Sequence, residues 1–156
     1  MFGLFKRKQR EILSPIDGQV VDISEVDDEV FSQKMVGDGV AVKPVGDTFC
    51  APIDGTVSKI FSTNHAFSIK SDKDLEVMVH IGLETVALEG RGFERLVNEG
   101  DRVFAGDPVI KADMNYIAAH AKDTITPVIV SDESDVGRIE KIFRIAKCKD
   151  VIMEVQ

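Results

Sequence analysis

Apolar and polar side chains alternate with a period of two over residues 19–23, 40–42, 56–60, 66–70, 75–81, 108–111, 127–130 and 151–155. Such alternation sends one row of side chains into a core and the other row outside, the pattern of a half-buried strand. Turns containing Gly and Asp separate the runs. The chain therefore reads as all-β, a compact antiparallel β-sandwich or barrel with a few short helical turns. Residues 26–35 and 93–98 have room for only one or two helical turns, and residues 116–121 gain helical propensity from an alanine pair.

The pattern is also written twice. Ser14-Pro-Ile-Asp-Gly-Gln-Val-Val-Asp-Ile23 returns as Ala51-Pro-Ile-Asp-Gly-Thr-Val-Ser-Lys-Ile60, 37 positions on (51 − 14). Pro is excluded from central strands and Asp-Gly tolerates positive φ, so each copy predicts an edge, a tight turn and a strand. No Pro/Ser-rich linker divides the copies, which then form halves of one domain over residues 11–156, behind a flexible segment over residues 1–10. Gly100-Asp-Arg-Val-Phe-Ala-Gly-Asp-Pro-Val109 reads as a further turn and strand pair. Similar segments occur in biotinyl and lipoyl carriers, but Lys111 lacks the flanking residues expected of a modified lysine.

Charge narrows the partners. With 27 acidic against 19 basic side chains the net charge is −8, which disfavours a nucleic-acid backbone and favours a basic protein surface. Cys50 and Cys148 are too few and too far apart in sequence for a secreted disulfide framework, and no apolar run approaches a bilayer span or a signal peptide. The expectation is a cytoplasmic monomer. Segment 1–10 carries Phe2, Leu4 and Phe5 beside Lys6, Arg7, Lys8 and Arg10; it reads either as a frayed terminus or as a weak tether to anionic lipid at the inner face of the membrane.

Candidate chemistry rests on the histidines, because a phosphate-cradling glycine loop and a nucleophile elbow are both missing. In residues 75–81, Leu75, Val77, Val79 and Ile81 share one parity, leaving Glu76, Met78 and His80 on the other face. His65 has the parity of Phe67 and Ile69 at the entry to the preceding strand. The 15 positions between the histidines (80 − 65), with the turn Ser71-Asp-Lys-Asp74, fit a hairpin that brings the two rings together. Paired imidazoles can bind a metal. Alternatively, one nitrogen can take a phosphoryl group while the second ring donates a hydrogen bond.

Thr63-Asn-His-Ala-Phe67 followed by Val79-His-Ile-Gly-Leu-Glu-Thr-Val86 closely resembles the glucose-class enzyme IIA of the bacterial phosphoenolpyruvate-dependent sugar phosphotransferase system. Pro15-Ile-Asp-Gly18, Val36-Gly-Asp-Gly39, Ala51-Pro-Ile-Asp-Gly55 and Gly90-Arg-Gly-Phe93 extend the likeness over nearly the whole chain beyond its N-terminal segment. The resemblance implies a duplicated hybrid β-fold with His80 as phosphoryl acceptor, His65 as accessory histidine and Thr63 hydrogen-bonding beside it. It implies the small carrier HPr as donor and a cysteine of a separate glucose-class IIB or IICB protein as next acceptor. No cofactor is required. Glu84 stands where the family motif usually has aspartate, and Asp28 resembles the family's second flanking carboxylate. Phe31, Phe61 and Met78 are expected as an exposed apolar ring for docking, while His120 is a surface histidine. Zinc is expected at His65 and His80 only when a partner supplies a further ligand. Two other readings stand beside this one: a zinc-dependent hydrolase on a related scaffold, and a module whose phosphorylation state selects regulated transporters or kinases.

Overall fold

The computed structural model describes residues 10–156, so the basic and apolar segment, Arg10 excepted, lies outside the described residues. Every alternating run becomes a strand. The order is β1 (Arg10–Leu13), β2 (Gly18–Asp22), β3 (Gly37–Pro44), β4 (Thr48–Cys50), β5 (Gly55–Ile60), β6 (Ala66–Lys70) and β7 (Glu76–His80). It continues with β8 (Phe93–Arg95), β9 (Arg102–Val103), β10 (Pro108–Ala112), β11 (Thr126–Ser131), β12 (Ile139–Lys141), β13 (Ile145–Ala146) and β14 (Val151–Val155). Among the described residues two short α-helices interrupt them, α1 (Glu29–Ser32) and α2 (Met114–His120), with 3-10 turns at Ile23–Glu25 and Thr85–Leu88. One eight-stranded sheet runs β13-β2-β3-β11-β7-β6-β5-β9, and two three-stranded sheets, β1-β14-β12 and β4-β10-β8, complete the sandwich.

The duplication extends beyond the repeated decapeptide. Leu13 N–H donates to Pro52 O at 2.9 Å, and Cys50 N–H, 37 positions on, returns the bond to Pro15 O at 2.8 Å. Gly55 pairs with Val103 of β9, and its counterpart Gly18 pairs with Ala146 of β13, 43 positions on (146 − 103). The two carboxylates at the turns do the same work: Asp54 accepts from Ala105 N–H and Asp17 from Cys148 N–H, each at 2.7 Å. Close strand approach, not a left-handed turn, explains the repeated glycine. A Cβ at Gly18 would lie 2.2 Å from Lys43 O, and one at Gly55 would lie 2.3 Å from Lys70 O.

The main core lies between the sheets and includes Val40, Val42, Phe67, Ile69, Val77, Val79, Val128 and Val130. A second, smaller cluster covers the outer face of β2, β3, β11 and β7, with Val21, Ile23, Val26, Phe31, Ala41, Leu83, Ile125 and Ile129. Strands β3 and β11 are therefore buried on both faces, which is why their apolar residues run consecutively.

Two helical expectations change. Within 26–35 only Glu29–Ser32 is α-helical; the Asp28 carboxylate caps it by accepting from Val30 N–H at 2.9 Å, and Lys34 at φ +58° ends the helical path. Residues 93–95 form β8 instead of a helical turn, because pairing of Phe93 with Ala112 and Arg95 with Ile110 satisfies the backbone and buries Phe93. The third expected helix forms as α2, capped by Asp113.

Candidate functional site

Antiparallel pairing of β6 and β7 sets Ala66 opposite His80, and Ile81 N–H donates to His65 O at 2.8 Å. That register delivers the expected convergence. The imidazole centroids are 4.9 Å apart and the rings meet edge to face at 79°.

His80 Nδ1 lies 2.7 Å from Gly82 O. A carbonyl oxygen only accepts, so Nδ1 carries the proton and Nε2 keeps its lone pair. Gly82 makes this geometry possible: its φ is +75°, and a Cβ there would sit 2.8 Å from Asp123 O. The next bend is held by Thr85, fully buried, whose hydroxyl donates to Ile81 O at 2.7 Å.

Thr63 Oγ1 is 2.5 Å from His65 Nδ1. When the hydroxyl donates, the His65 proton resides on Nε2 and is available to an oxygen ligand. Burial, followed by the neighbouring His80, lowers the His65 pKa to about 4. Burial also lowers that of His80, opposed by the Gly82 hydrogen bond and the Asp28 charge. Both rings are thus neutral near pH 7, the state in which a ring nitrogen can act as a nucleophile.

The flanking residues divide into two groups. Phe31 is only 5% exposed, contrary to its expected place in an exposed ring: its aromatic face packs 5.0 Å from His80 and roofs the smaller apolar cluster. Met78 is half-buried against that cluster, since the outer face of β7 is covered there and not bare. Phe61 is half-buried, 5.3 Å from His65, with Lys59 Nζ 4.5 Å above its ring. The large apolar side chains that are exposed on the adjoining segments are Val30, Met35 and Val86, which strand parity did not single out. Glu84 is exposed at φ +58°, and Asp28 is half-buried at the start of α1. His120 is exposed and stacks on Tyr116 at 4.2 Å.

Sequence reasoning missed Arg95. Its Nε donates to Asn64 Oδ1 at 2.8 Å, bracing a residue at φ +59° next to His65. No local pattern marks this contact, which joins positions 31 apart across two sheets. Among the described residues no group of three or more His, Cys, Asp or Glu could hold a metal. His65 and His80 alone give two nitrogen donors, short of a tetrahedral zinc set. Among them, too, no helix is long and apolar enough to cross a membrane.

Fold and site together define a two-histidine β-sandwich, and comparison with known proteins gives the family. A family model described as the phosphoenolpyruvate-dependent sugar phosphotransferase system, EIIA 1, matches residues 10–136, and the chain belongs to that family. It is 45% identical to the "PTS system glucose-specific EIIA component" of Haemophilus influenzae, over 90% of this chain and 86% of that protein. It is 50% identical to the "PTS system glucose-specific EIICBA component" of Staphylococcus carnosus over 88% of this chain, but spans only 20% of that longer relative. The solved glucose permease IIA of Mycoplasma capricolum superposes with a TM-score of 0.92 at 34% identity, covering 96% of this chain and 97% of that one. Nothing in these comparisons supports a zinc hydrolase.

Proposed function

We propose that this chain is a phosphocarrier that takes a phosphoryl group from the phosphohistidine of HPr onto Nε2 of His80. It then passes the group to the cysteine of a glucose-class IIB domain during sugar uptake. The observation that carries this reading is the Nδ1–Gly82 O hydrogen bond, which leaves Nε2 of His80 unprotonated beside His65.

The transfer breaks a donor P–N bond and forms a P–N bond at His80, with the two nitrogens in line. Alignment and charge complementarity supply most of the catalysis. His65, oriented by Thr63, donates from Nε2 to a phosphoryl oxygen. The low pKa of His65 keeps positive charge off its ring in the buried site before phosphate arrives. Docking over Val30, Met35 and Val86, with Phe31, Phe61 and Met78 beneath, excludes water and limits hydrolysis. Asp28 and Glu84 offer negative charge to a basic donor surface.

The reaction needs no cofactor. Zinc binds at His65 and His80 only where a partner carboxylate completes the site, and phosphate on His80 displaces it; calorimetric titration of both forms tests this. The place of action is the cytoplasm, with the N-terminal segment as a tether to anionic lipid. A regulatory role toward transporters or kinases is the second reading, tested by pull-down with each phosphorylation state. The principal experiment is incubation with enzyme I, HPr and radiolabelled phosphoenolpyruvate. Label should appear on wild type and be absent from His80→Gln; full labelling of that variant defeats the proposal.

A further inference from the structure

Cys50 and Cys148 are 98 residues apart (148 − 50), yet the fold stitches both to one turn. Cys50 N–H donates to Pro15 O at 2.8 Å, Cys148 N–H to Asp17 Oδ1 at 2.7 Å, and Lys149 N–H to Ser14 O at 3.1 Å. The two thiols are near enough to interact electrostatically, while Cys50 Sγ itself reaches Thr48 O at 4.0 Å. The duplication gives independent support. The counterparts of the two cysteines in the other half are Leu13 and Ala105, held by the equivalent bonds to Pro52 O and Asp54 Oδ1, and those two side chains line one groove. The fold thus anchors this pair of positions to one turn in each half. One of the two pairs carries sulfur.

We propose that Cys50 and Cys148 form a reversible intrachain disulfide, making the Ser14–Asp17 turn an oxidation site of the molecule. Cys148 is half-exposed between Lys147 and Lys149 and meets the oxidant first, whereas Cys50 is buried. Burial, reinforced by the adjacent Cys148, pushes the Cys50 thiol pKa up, so Cys50 resolves and does not initiate. With a peroxide, the Cys148 thiolate attacks one oxygen, breaks the O–O bond and becomes a sulfenic acid, releasing hydroxide that is protonated to water. Cys50 sulfur then displaces the sulfenic oxygen, its own proton leaving with that oxygen as a second water. Two thiols have lost two electrons and two protons to the peroxide. Closing so long a loop constrains the unfolded chain and raises Tm by about 10 °C.

The test treats the full chain with hydrogen peroxide. It follows thiols titratable after denaturation, disulfide-linked peptides and Tm before and after dithiothreitol. The expected result is loss of both thiols in a monomer two hydrogens lighter, a linked Cys50–Cys148 peptide, and a Tm rise that dithiothreitol reverses. Cys148→Ser should show no rise, and Cys50→Ala should halt at a dimedone-reactive sulfenic acid on Cys148. A Cys50 that still titrates after Cys148 is oxidised, or cross-linking between two chains in place of within one, overturns the proposal.

Discussion

Replacing Gly82 with alanine perturbs the one backbone carbonyl that fixes the His80 tautomer. At φ +75° a side chain costs about 1–2 kcal/mol of left-handed strain. The added Cβ also meets Asp123 O and Thr85 Cγ2, each at 2.8 Å. Asp123 O has little freedom to retreat, because it accepts from Leu83 N–H at 2.9 Å. Relief requires the Gly82 peptide to shift, and the 2.7 Å bond to His80 Nδ1, worth about 1 kcal/mol, weakens with it. The sum is a loss of about 2–4 kcal/mol, read as a lower urea midpoint and a Tm lower by roughly 5–15 °C. Nitrogen NMR should show His80 shifting from pure Nδ1–H toward a mixture of tautomers, and phosphoryl acceptance from HPr should slow about tenfold. If Gly82→Ala keeps its stability and an unmixed Nδ1–H tautomer, the role assigned to Gly82 is wrong.

Three further outcomes follow from the same geometry. In His65→Gln, phosphate should still load from HPr but pass to IIB more slowly; equal loss of both half-reactions would refute the division of labour between the rings. An NMR pH titration should find His65 protonating near pH 4 against an ordinary 6.5. Since the unfolded chain then binds more protons between those values, the contribution of His65 to stability is full above about pH 6.5 and is lost on acidification toward pH 4, which urea unfolding at each pH would show. Deleting residues 1–10 should leave acceptance from HPr unchanged and reduce co-sedimentation with anionic vesicles at low salt; equal sedimentation of both proteins excludes the tether.

The strands that carry the site were legible because each has a strict period: β7 separates Val77 and Val79 from Met78 and His80 within five residues, and the Ser71–Asp74 turn makes the hairpin with β6 unambiguous. Exposure was not legible, since parity tells which face a side chain takes but not what later covers that face. Phe31 and Met78 were therefore read as a docking rim, although a second apolar cluster buries the one and half-buries the other. Short edge strands such as β9 and β13 carry only two residues and are defined by their partners β5 and β2. The same non-locality hid Arg95 beside Asn64 and the shared anchoring of Cys50 and Cys148 to the Ser14–Asp17 turn. In each case sequence distance is large and the positions meet only when the sheets close over one another. The repeat itself predicted that closure, but the displacement of 43 residues between its second segments escapes inspection, because Phe104-Ala-Gly-Asp107 and Lys147-Cys-Lys-Asp150 share only the final aspartate.

The central claim is that Nε2 of His80 receives the phosphoryl group while Nδ1 remains hydrogen-bonded to Gly82. Phosphorus-coupled nitrogen NMR of the chain phosphorylated by enzyme I, HPr and phosphoenolpyruvate measures this directly. The account predicts phosphorus coupled to Nε2 of His80, a proton retained on its Nδ1, and an unmodified His65. Phosphorus bonded to His80 Nδ1 or to either nitrogen of His65 would contradict it.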